Sequence, residues 1–225
     1  MKENKICFIL CTNQQSYFDE CMEYINRLFI PEGFEIEVLG VTQAKSMAAG
    51  YNEGMEASDA KYKVYLHQDV FIVYPFFLEA LLQIFESDDR IGMIGMVGTP
   101  HMSPDGIMWN GYRMGNLHGV FPPQFAYEEY RYRLTDGLHQ VEAVDGLLIA
   151  TSKDIRWRED LLDGWDFYDV SQSFEMLRKG YLVVVPEQKN AWCVHDDGIL
   201  NLRQYDVYRR ICMEHYAEFF GESTK

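Results

Sequence analysis

The segment YKVYLHQDVFI, residues 62–72, is an apolar stretch that meets three consecutive polar residues, His67, Gln68 and Asp69. Its β-branched and aromatic residues are typical of a buried β-strand. If this strand lies centrally in a parallel sheet, its polar tip faces the crevice at the carboxyl edge, where ligands bind. The segment therefore predicts a central strand with a candidate binding edge at its end.

Two strand–helix units are predicted upstream of this strand. Apolar runs indicate a first strand in KICFILCTN (5–13) and a second in FEIEVLGV (34–41). Helical apolar spacing covers FDECMEYINRLFIP (18–31), and small helix formers fill AKSMAAGYNEGMEAS (44–58). The resulting order βαβαβ predicts a parallel sheet with helices on both faces.

The rest of the chain continues the α/β pattern around one irregular region. Residues 99–140 combine prolines, glycines and aromatics, so we expect an inserted loop or hairpin there. The other predicted elements are a helix at 74–88, a strand at 90–98, a strand at 141–152, a helix at 171–180, a strand at 181–187 and an amphipathic helix at 202–220. Because the sequence contains no linker or low-complexity tract, we expect one compact domain.

Composition is typical of a folded protein with one sizeable core: the chain has 225 residues, of which 48% are hydrophobic and 15% aromatic. No run approaches the roughly 18 apolar residues of a membrane span. The apolar N-terminal run lacks a signal-peptide cleavage site, so we expect a cytoplasmic protein. Five cysteines without a C-x-x-C pair indicate buried, reduced thiols.

The net charge limits the range of binding partners. At −15, with a pI near 4.7, the chain lacks the clustered basic residues that binding to a nucleic-acid backbone requires, so we expect no nucleic-acid partner. A polyanionic small molecule still fits if a metal ion or a local basic cluster supplies positive charge. Such a cluster could be Arg203, Arg209 and Arg210.

The polar tip of the 62–72 segment is the first candidate site. A carboxylate such as Asp69 can hold a divalent cation against the phosphates of a ligand at a sheet edge. The alternative is that Asp69 caps a turn or the next helix, while His67 is a hydrogen-bonded, partly buried histidine. The three polar residues by themselves leave both interpretations open.

Asn52 is the second candidate. It lies among small residues, including Gly50 and Gly54, and such a helix can closely approach the sheet and a bound ligand. An amide in this position could orient a nucleotide or a sugar. The alternative is tight helix–sheet packing with Asn52 exposed to solvent.

Acidic and imidazole groups in the second half supply two further candidates. In DGWDFYDV, Asp163, Asp166 and Asp169 surround aromatic residues that could desolvate one carboxylate and raise its pKa toward that of a general base. The alternative role for each aspartate is a helix N-cap.

In WCVHDDG, His195 is a candidate ligand for a transition metal such as Mn²⁺, or else part of a solvent-facing loop.

Taken in this order, the segments resemble glycosyltransferases of the GT-A fold, in particular the small bacterial family-2-like members. The matching pieces are the polar loop after the first strand, A-x-x-Y-N-x-G (48–54), YLHQDVFI (65–72) in place of the family's D-x-D motif, DGLLIA (145–150) and FYDVSQSFEMLRKGY (167–181). The resemblance covers most of the chain. It implies an α/β, Rossmann-like GT-A domain over 1–225, with a nucleotide-sugar-binding half at 1–98 and an acceptor-side half with the C-terminal helix at 99–225.

The resemblance also implies substrates and residue roles. A nucleotide-diphosphate-sugar donor, such as a UDP-sugar, would lie over the carboxyl ends of the first strands, with Mn²⁺ or Mg²⁺ bridging its phosphates. The implied roles are metal ligands at Asp69, His195 and His67, donor contacts at Thr12, Asn13, Asn52 and Gln68, and a catalytic base at Asp169 with Asp166 as its rival. The implied reaction is inverting transfer to a glycan, lipid-linked or protein acceptor, with metal assistance to the leaving diphosphate.

Two departures from the family pattern bear on these roles. His67 stands at the first position of the D-x-D motif, so the metal would be held more weakly, through water, or mainly by phosphate oxygens and His195. Ser171 stands where relatives often carry a second aspartate, which leaves Asp169 as the better base candidate. The sequence also has no Q-x-x-R-W element, which favours addition of a single sugar over processive synthesis.

Three other functions are alternatives. The chief one is a non-catalytic nucleotide-sugar or glycan binding protein, because fold alone does not separate it from an enzyme. A nucleotidyltransferase is disfavoured because CTNQQSYFDE has neither glycine nor a basic residue. A glycoside hydrolase could use the acidic cluster, but gives no role to the strand tip and the Asn52 segment together.

The expected insertion is rich in aromatic residues. Between residues 102 and 132 they include Trp109, Tyr112, Phe121 and Tyr127, which we expect to cover the acceptor side, since sugars stack on aromatic faces. The alternatives are a dimer contact, which would make the protein a homodimer, and a lid packed over the core.

Overall fold

The structure is a computed structural model that describes residues 1–121, 126–131, 137–196 and 201–221. Its first half alternates strands and helices, as the sequence predicts. The elements are β1 (Lys2–Thr12), α1 (Gln15–Ile25), β2 (Glu35–Thr42), α2 (Met47–Ala57), β3 (Ala60–His67), β4 (Val70–Ile72), α3 (Phe77–Ser87), β5 (Ile91–Gly95) and β6 (Val97–Thr99).

The second half is built mainly from short strands and two helices. Its elements are a 3₁₀ turn (Met108–Asn110), β7 (Met114–Phe121), β8 (Ala126–Arg131), β9 (Leu138–Gln140), β10 (Ala143–Val144), β11 (Leu148–Thr151), α4 (Tyr168–Arg178), β12 (Leu182–Pro186), β13 (Cys193–His195), α5 (Tyr205–His215) and a second 3₁₀ turn (Ala217–Phe219). The insertion predicted at 99–140 contains an antiparallel hairpin of β7 and β8, and parts of it, 122–125 and 132–136, lie outside the described residues.

Seven strands form the central sheet, in the order β2-β1-β3-β11-β5-β12-β9. β1 pairs in parallel with β2 and β3, and β12 pairs in parallel with β5. β11 runs antiparallel between β3 and β5, and β9 lies antiparallel at one edge. The sheet is therefore mostly parallel, as predicted, with β11 and β9 as its antiparallel strands.

The segment 141–152, expected to be one strand, is two strands separated by a turn. In the turn at 145–147, two backbone N–H groups donate hydrogen bonds to carboxylates: the N–H of Gly146 to Asp169, and the N–H of Leu147 to Asp145. These bonds interrupt the ladder, so β10 joins the second sheet while β11 joins the central sheet. This second sheet has six strands, in the order β10-β6-β7-β13-β4 with β8 beside β7.

Helices cover both faces of the central sheet because successive strand residues point to opposite faces. Leu10 of β1 belongs to an apolar cluster that includes Leu78 of α3 and residues of α1. Its neighbour Ile9 belongs to a second cluster that includes Tyr51 of α2 and residues of α4. A third cluster joins α4 to α5. The layers agree with the predicted arrangement.

Small residues let α2 pack tightly on the sheet, as the sequence predicts. A Cβ atom at Gly54 would lie 2.4 Å from Ile9 Cγ2, and one at Gly50 would lie 2.4 Å from Cys11 Sγ. Side chains at these positions would push the helix away from β1. The helix begins at Ser46, whose Oγ accepts the N–H of Ala49 and so satisfies one of the free amides of the first turn.

Two expectations drawn from composition concern the cysteines and the membrane. All five cysteines are buried, free thiols, as predicted. Within the part of the chain that the structure describes, none of the helices combines the length and apolar character that a membrane crossing requires.

Candidate active site

The ends of β1 and β3 meet at the carboxyl edge of the central sheet, where the side chain of Gln68 joins them. Gln68 Oε1 accepts the Thr12 hydroxyl at 3.0 Å and the Asn13 N–H at 3.1 Å. Gln68 Nε2 donates to Asn13 Oδ1 at 2.8 Å. The tip of β3 therefore fixes the loop that follows β1, and the predicted donor contacts Thr12, Asn13 and Gln68 lie together.

These residues line a cavity of about 820 Å³, here called the first cavity. It extends from the ends of β1 and β3 to the loops around residues 43 and 203. Arg203 is the member of the predicted basic cluster that lines it. Arg209 and Arg210 instead bond Asp206 within α5. A cavity of this size, with amide and hydroxyl groups at one end and a cation at its wall, suits a nucleotide-sized ligand.

A group of three possible metal ligands lies at the edge of the first cavity, whose wall includes two of them, His67 and Asp69. His67 ends β3, Asp69 follows in the turn, and His195 ends β13; one ligand atom from each lies within 4.8 Å of the others. His195 comes to this point because β13 pairs with β4, with His195 opposite Val70, and the Asp196 N–H bonds the Asp69 carbonyl at 2.9 Å. Strand pairing thus brings together residues more than 120 positions apart.

The pKa values of His67 and Asp69 favour the protonation states that bind a cation. Burial and, next, the charge of His195 lower the pKa of His67 to about 4, so His67 is neutral at physiological pH. Burial alone would raise the pKa of Asp69, but the nearby imidazoles of His195 and His67 outweigh it and hold the pKa below its usual value. Asp69 is therefore ionised beside a neutral imidazole.

The donor set fits a divalent transition metal. Among the described residues, Asp69 Oδ1 is buried without a hydrogen-bond partner, and its nearest basic atom is His195 Nε2 at 3.6 Å. A buried carboxylate oxygen in this state is costly unless a cation or donor satisfies it. Two imidazoles with one carboxylate are ligands that Mn²⁺ and similar ions accept.

A second cavity of about 680 Å³ adjoins the first and shares His67, Trp165, Asp166 and Asn201 with it. Much of its wall is apolar or aromatic, with Trp109, Phe167 and Tyr205 among the lining residues. Of the insertion aromatics named above, Trp109 lines this cavity, and the side chains of Phe121 and Tyr127 lie outside the described residues. The two cavities are therefore neighbouring chambers with a common wall.

Asp169 lies in the second cavity, in the first turn of α4. Its Oδ2 accepts the Gly146 N–H at 2.8 Å, and its Oδ1 accepts the Val170 N–H at 2.8 Å. Burial, followed by the charge of Asp145, raises the pKa of Asp169 to about 7, against the opposing effect of these two bonds. A carboxyl group with this pKa changes its protonation state near neutral pH, as a general base requires.

The other two aspartates of the acidic cluster differ in placement. Asp166 lies on the wall shared by both cavities, and burial raises its pKa. Asp163 accepts the Tyr208 hydroxyl at 2.8 Å and serves to attach α5. Phe167, between Asp166 and α4, has a φ of +63°, a left-handed conformation that is strained for a phenylalanine. This bend separates Asp166 on the shared wall from Asp169 in the second cavity.

The structure places Asn52 away from both cavities. Asn52 is buried, and its side chain forms hydrogen bonds with both backbone groups of Trp157. Nδ2 donates to the Trp157 carbonyl and Oδ1 accepts the Trp157 N–H, both at 2.9 Å. Nδ2 also lies 3.1 Å from Glu159 Oε1. The amide therefore holds the loop before α4 in place, and neither the predicted donor contact nor the exposed alternative describes it. No local pattern around Asn52 indicates a partner 105 residues away.

Several lining residues were not singled out from the sequence. Trp165 and Asn201 line both cavities, Gln43 lines the first and Asp145 the second. Asp145 stands in the DGLLIA motif, next to the glycine that bonds Asp169, and this proximity to a motif is the one available indication. For the others, the sequence pattern carries no information about which loop reaches the cavity.

The similarity of the chain to known proteins assigns it to a family. A model of a glycosyltransferase-like family matches residues 7–216, so the chain belongs to this family. A comparison with curated proteins gives no match.

Solved structures show the same architecture. The mannosyltransferase PcManGT from Pyrobaculum calidifontis, in complex with GDP-Man and Mn²⁺, superposes with a TM-score of 0.56 at 12% identity over 97% of this chain and 64% of that chain. TarS from S. aureus, in complex with UDP, gives 0.54 at 11% identity over 93% of this chain and 65% of that chain. This chain spans less than two thirds of their length, and the likeness shows that its fold is the GT-A fold.

We predict that Asn52→Ala lowers stability without changing nucleotide binding by the folded protein. Loss of the amide leaves the buried N–H of Trp157 without its partner and removes one of the two hydrogen bonds to the Trp157 carbonyl, which should cost about 1–3 kcal/mol in the free energy of unfolding. Urea unfolding measures this cost. Glu53→Ala, at an exposed position of the same helix, is the matched control, with an expected change within about 0.5 kcal/mol. A stable Asn52→Ala protein with weakened nucleotide binding would contradict the structural role.

Proposed function

We propose that the protein is an inverting, non-processive glycosyltransferase that moves a sugar from a nucleotide-diphosphate donor to an acceptor hydroxyl, with help from a divalent metal ion. The observation that carries this proposal is the shared wall of the two cavities. The His67, Asp69 and His195 group lies at this wall, with Asp69 lining the first cavity, His195 the second and His67 both. Asp169 lines the second cavity, so a leaving group in the first cavity and a base in the second can act on one reacting carbon. The GDP-Man, Mn²⁺ and UDP complexes of the similar structures support the donor class.

In this proposal the first cavity takes the donor. Thr12, Asn13 and Gln68 form its hydrogen-bonding end and contact the nucleotide, which makes residues 1–98 the donor half of the domain. Arg203 offsets part of the charge of the diphosphate. UDP and GDP are the two nucleotides that the similar structures suggest.

The metal ion would be held by His67, Asp69 and His195. When bound, such an ion supplies positive charge that stabilises the departing diphosphate. The neutral state of His67 and the ionised state of Asp69 leave lone pairs available on both side chains. Mn²⁺ suits the imidazole-rich set better than Mg²⁺, which prefers oxygen ligands.

The second cavity takes the acceptor, which makes residues 99–225 the acceptor half. Its aromatic wall, with Trp109 and Tyr205, suits the apolar faces of a sugar ring, either in a free or lipid-linked glycan or on a protein. Asp169 removes the proton from the acceptor hydroxyl as its oxygen bonds the anomeric carbon. The bond from that carbon to the diphosphate oxygen breaks with its electron pair, and attack from the opposite side inverts the configuration.

The second candidate is a non-catalytic nucleotide-sugar or glycan binding protein. One observation favours it: His67 stands at the first acidic position of the family's D-x-D motif, so Asp69 is the carboxylate left at the strand tip. A binding protein needs the cavities but has no use for a base with a raised pKa. Asp169 therefore separates the two functions.

We predict that Asp69→Ala abolishes the Mn²⁺-dependent part of nucleotide binding. The variant removes the carboxylate of the ligand group, so affinity for UDP or GDP with Mn²⁺ should fall at least about tenfold. Calorimetric titration with each nucleotide, with and without Mn²⁺, measures the change. Asp89→Ala, an exposed aspartate outside both cavities, is the control and should bind like the wild type. Equal metal dependence in wild type and Asp69→Ala would exclude this metal site.

We predict that Asp169→Asn abolishes sugar transfer and leaves donor binding intact. Loss of a general base should lower kcat by about 10²–10⁴-fold, while nucleotide affinity changes less than about twofold. Asp166→Asn is the matched variant, since it removes the rival carboxylate from the shared wall and should retain most of the turnover. Normal turnover in Asp169→Asn together with loss in Asp166→Asn would reverse the assignment of the base.

We predict that kcat rises with pH to a plateau above about 7, because Asp169 must lose its proton before it can act as the base. Asp145→Asn removes the neighbouring charge that raises this pKa, so the acidic limb should move to lower pH by about one unit. The tyrosines facing Asp169, which are Tyr51, Tyr168 and Tyr205, have raised pKa values and stay neutral over this range. An unchanged profile in Asp145→Asn would contradict the coupling of the two carboxylates.

A further inference from the structure

Tyr168, the first residue of α4, lines the second cavity and contacts a residue that lines both cavities. Its Oη lies 2.5 Å from Nε2 of that residue, His67. The next residue along the chain is Asp169. A single buried side chain therefore links the candidate metal ligand to the helix that carries the candidate base.

The position of the Tyr168 hydroxyl is tightly defined by its surroundings. Its ring is 5% exposed and packs against Tyr51 at 5.8 Å and Trp157 at 6.1 Å between ring centroids. Gly146 leaves room for the hydroxyl, since a Cβ atom there would lie 2.0 Å from Oη. The same Gly146 donates its N–H to Asp169. One turn therefore accommodates the tyrosine hydroxyl and positions the base.

The short distance between Tyr168 Oη and His67 Nε2 is that of a hydrogen bond, and the tautomer of the His67 ring determines which of the two atoms donates. A neutral imidazole has one N–H and one free lone pair, and the hydrogen bond made by one nitrogen determines which atom is left for a metal. Metal-binding histidines commonly donate the second N–H to an oxygen that fixes the tautomer.

We propose that Tyr168 is a positioning residue whose hydroxyl oxygen accepts the Nε2–H of His67 and so presents the Nδ1 lone pair of His67 to the metal ion. This inference rests on the metal-assisted function proposed above and adds a residue that the metal-ligand set does not include. Because Asp169 directly follows Tyr168, the bond also ties the position of the base to the presence of a correctly oriented ligand. Tyr168 touches a ligand and not the substrate, so it acts through His67.

Tyr168→Phe tests the proposal with an almost isosteric change. In the whole chain, titrated with Mn²⁺ alone by calorimetry and by electron paramagnetic resonance of the free ion, Tyr168→Phe should bind Mn²⁺ about tenfold to a hundredfold more weakly than wild type. Tyr51→Phe is the matched control. It removes a hydroxyl from the same aromatic cluster, and that hydroxyl has no hydrogen-bond partner in the described part of the chain. Its affinity for Mn²⁺ should stay within about twofold of wild type.

A second readout does not use the metal. Long-range ¹H–¹⁵N spectra of the metal-free wild type should show His67 as one tautomer, protonated at Nε2, and Tyr168→Phe should show a mixture. Thermal unfolding of both variants checks that the fold is retained. If Tyr168→Phe fails to fold, the wild-type spectrum decides, since a tautomer mixture there overturns the proposal and a single Nε2–H form supports it.

The outcomes separate this inference from the function on which it rests. Mn²⁺ binding by the wild type that is equally strong in Tyr168→Phe and Tyr51→Phe overturns the role of Tyr168 alone. A wild type that binds no Mn²⁺, with or without UDP or GDP, overturns the metal-assisted function and this inference together. Selective loss in Tyr168→Phe, with nucleotide binding in the absence of metal unchanged, supports both.

Discussion

Only two residues, Gln68 and Asp69, separate β3 from β4, and the candidate site depends on this short connection. β3 lies inside the central sheet and β4 at one edge of the second sheet, so the chain passes from one sheet to the other at this point. Neighbouring elements hold the connection: the loop after β1 through Gln68, β13 through the register of β4, and α4 through Tyr168. With so little chain between two paired strands, the side chains of the connection have little freedom to move.

This constraint explains how a strongly acidic protein keeps two carboxylates in different protonation regimes. Asp69 is partly buried, but two imidazoles offset the cost of its charge and lower its pKa. Asp169 is also partly buried, and burial together with the charge of another aspartate, Asp145, raises its pKa to about 7. The same two effects, desolvation and neighbouring charge, thus act in opposite balance at the two sites. One carboxylate suits permanent cation binding, and the other suits proton transfer.

The order of strands and helices in the first half could be predicted from the sequence alone, because apolar periodicity and strand ends are local properties. The sequence also placed His67, Asp69 and His195 in one hypothesis, which the structure brings within 4.8 Å, although the argument came from a family resemblance and not from the spacing of the residues. Periodicity does not encode strand direction, so β11 appeared as an ordinary α/β strand rather than an antiparallel one. The hydrogen bonds of Asn52 and Tyr168 could not be predicted because their partners, Trp157 and His67, are about a hundred residues away.

The histidine at the first position of the strand-tip motif has a physical consequence for the proposed donor site. An aspartate in this partly buried position would add a negative charge to a group that already holds Asp69, with Asp166 on the same cavity wall. A neutral imidazole supplies a ligand atom without that charge, so it costs less to bury but attracts a cation less strongly. The negative charge that the side chain lacks is carried by the diphosphate of the proposed donor. On this argument the ion binds more tightly when the nucleotide is present, and the nucleotide binds more tightly when the ion is present. By thermodynamic reciprocity, each raises the affinity of the protein for the other by the same factor.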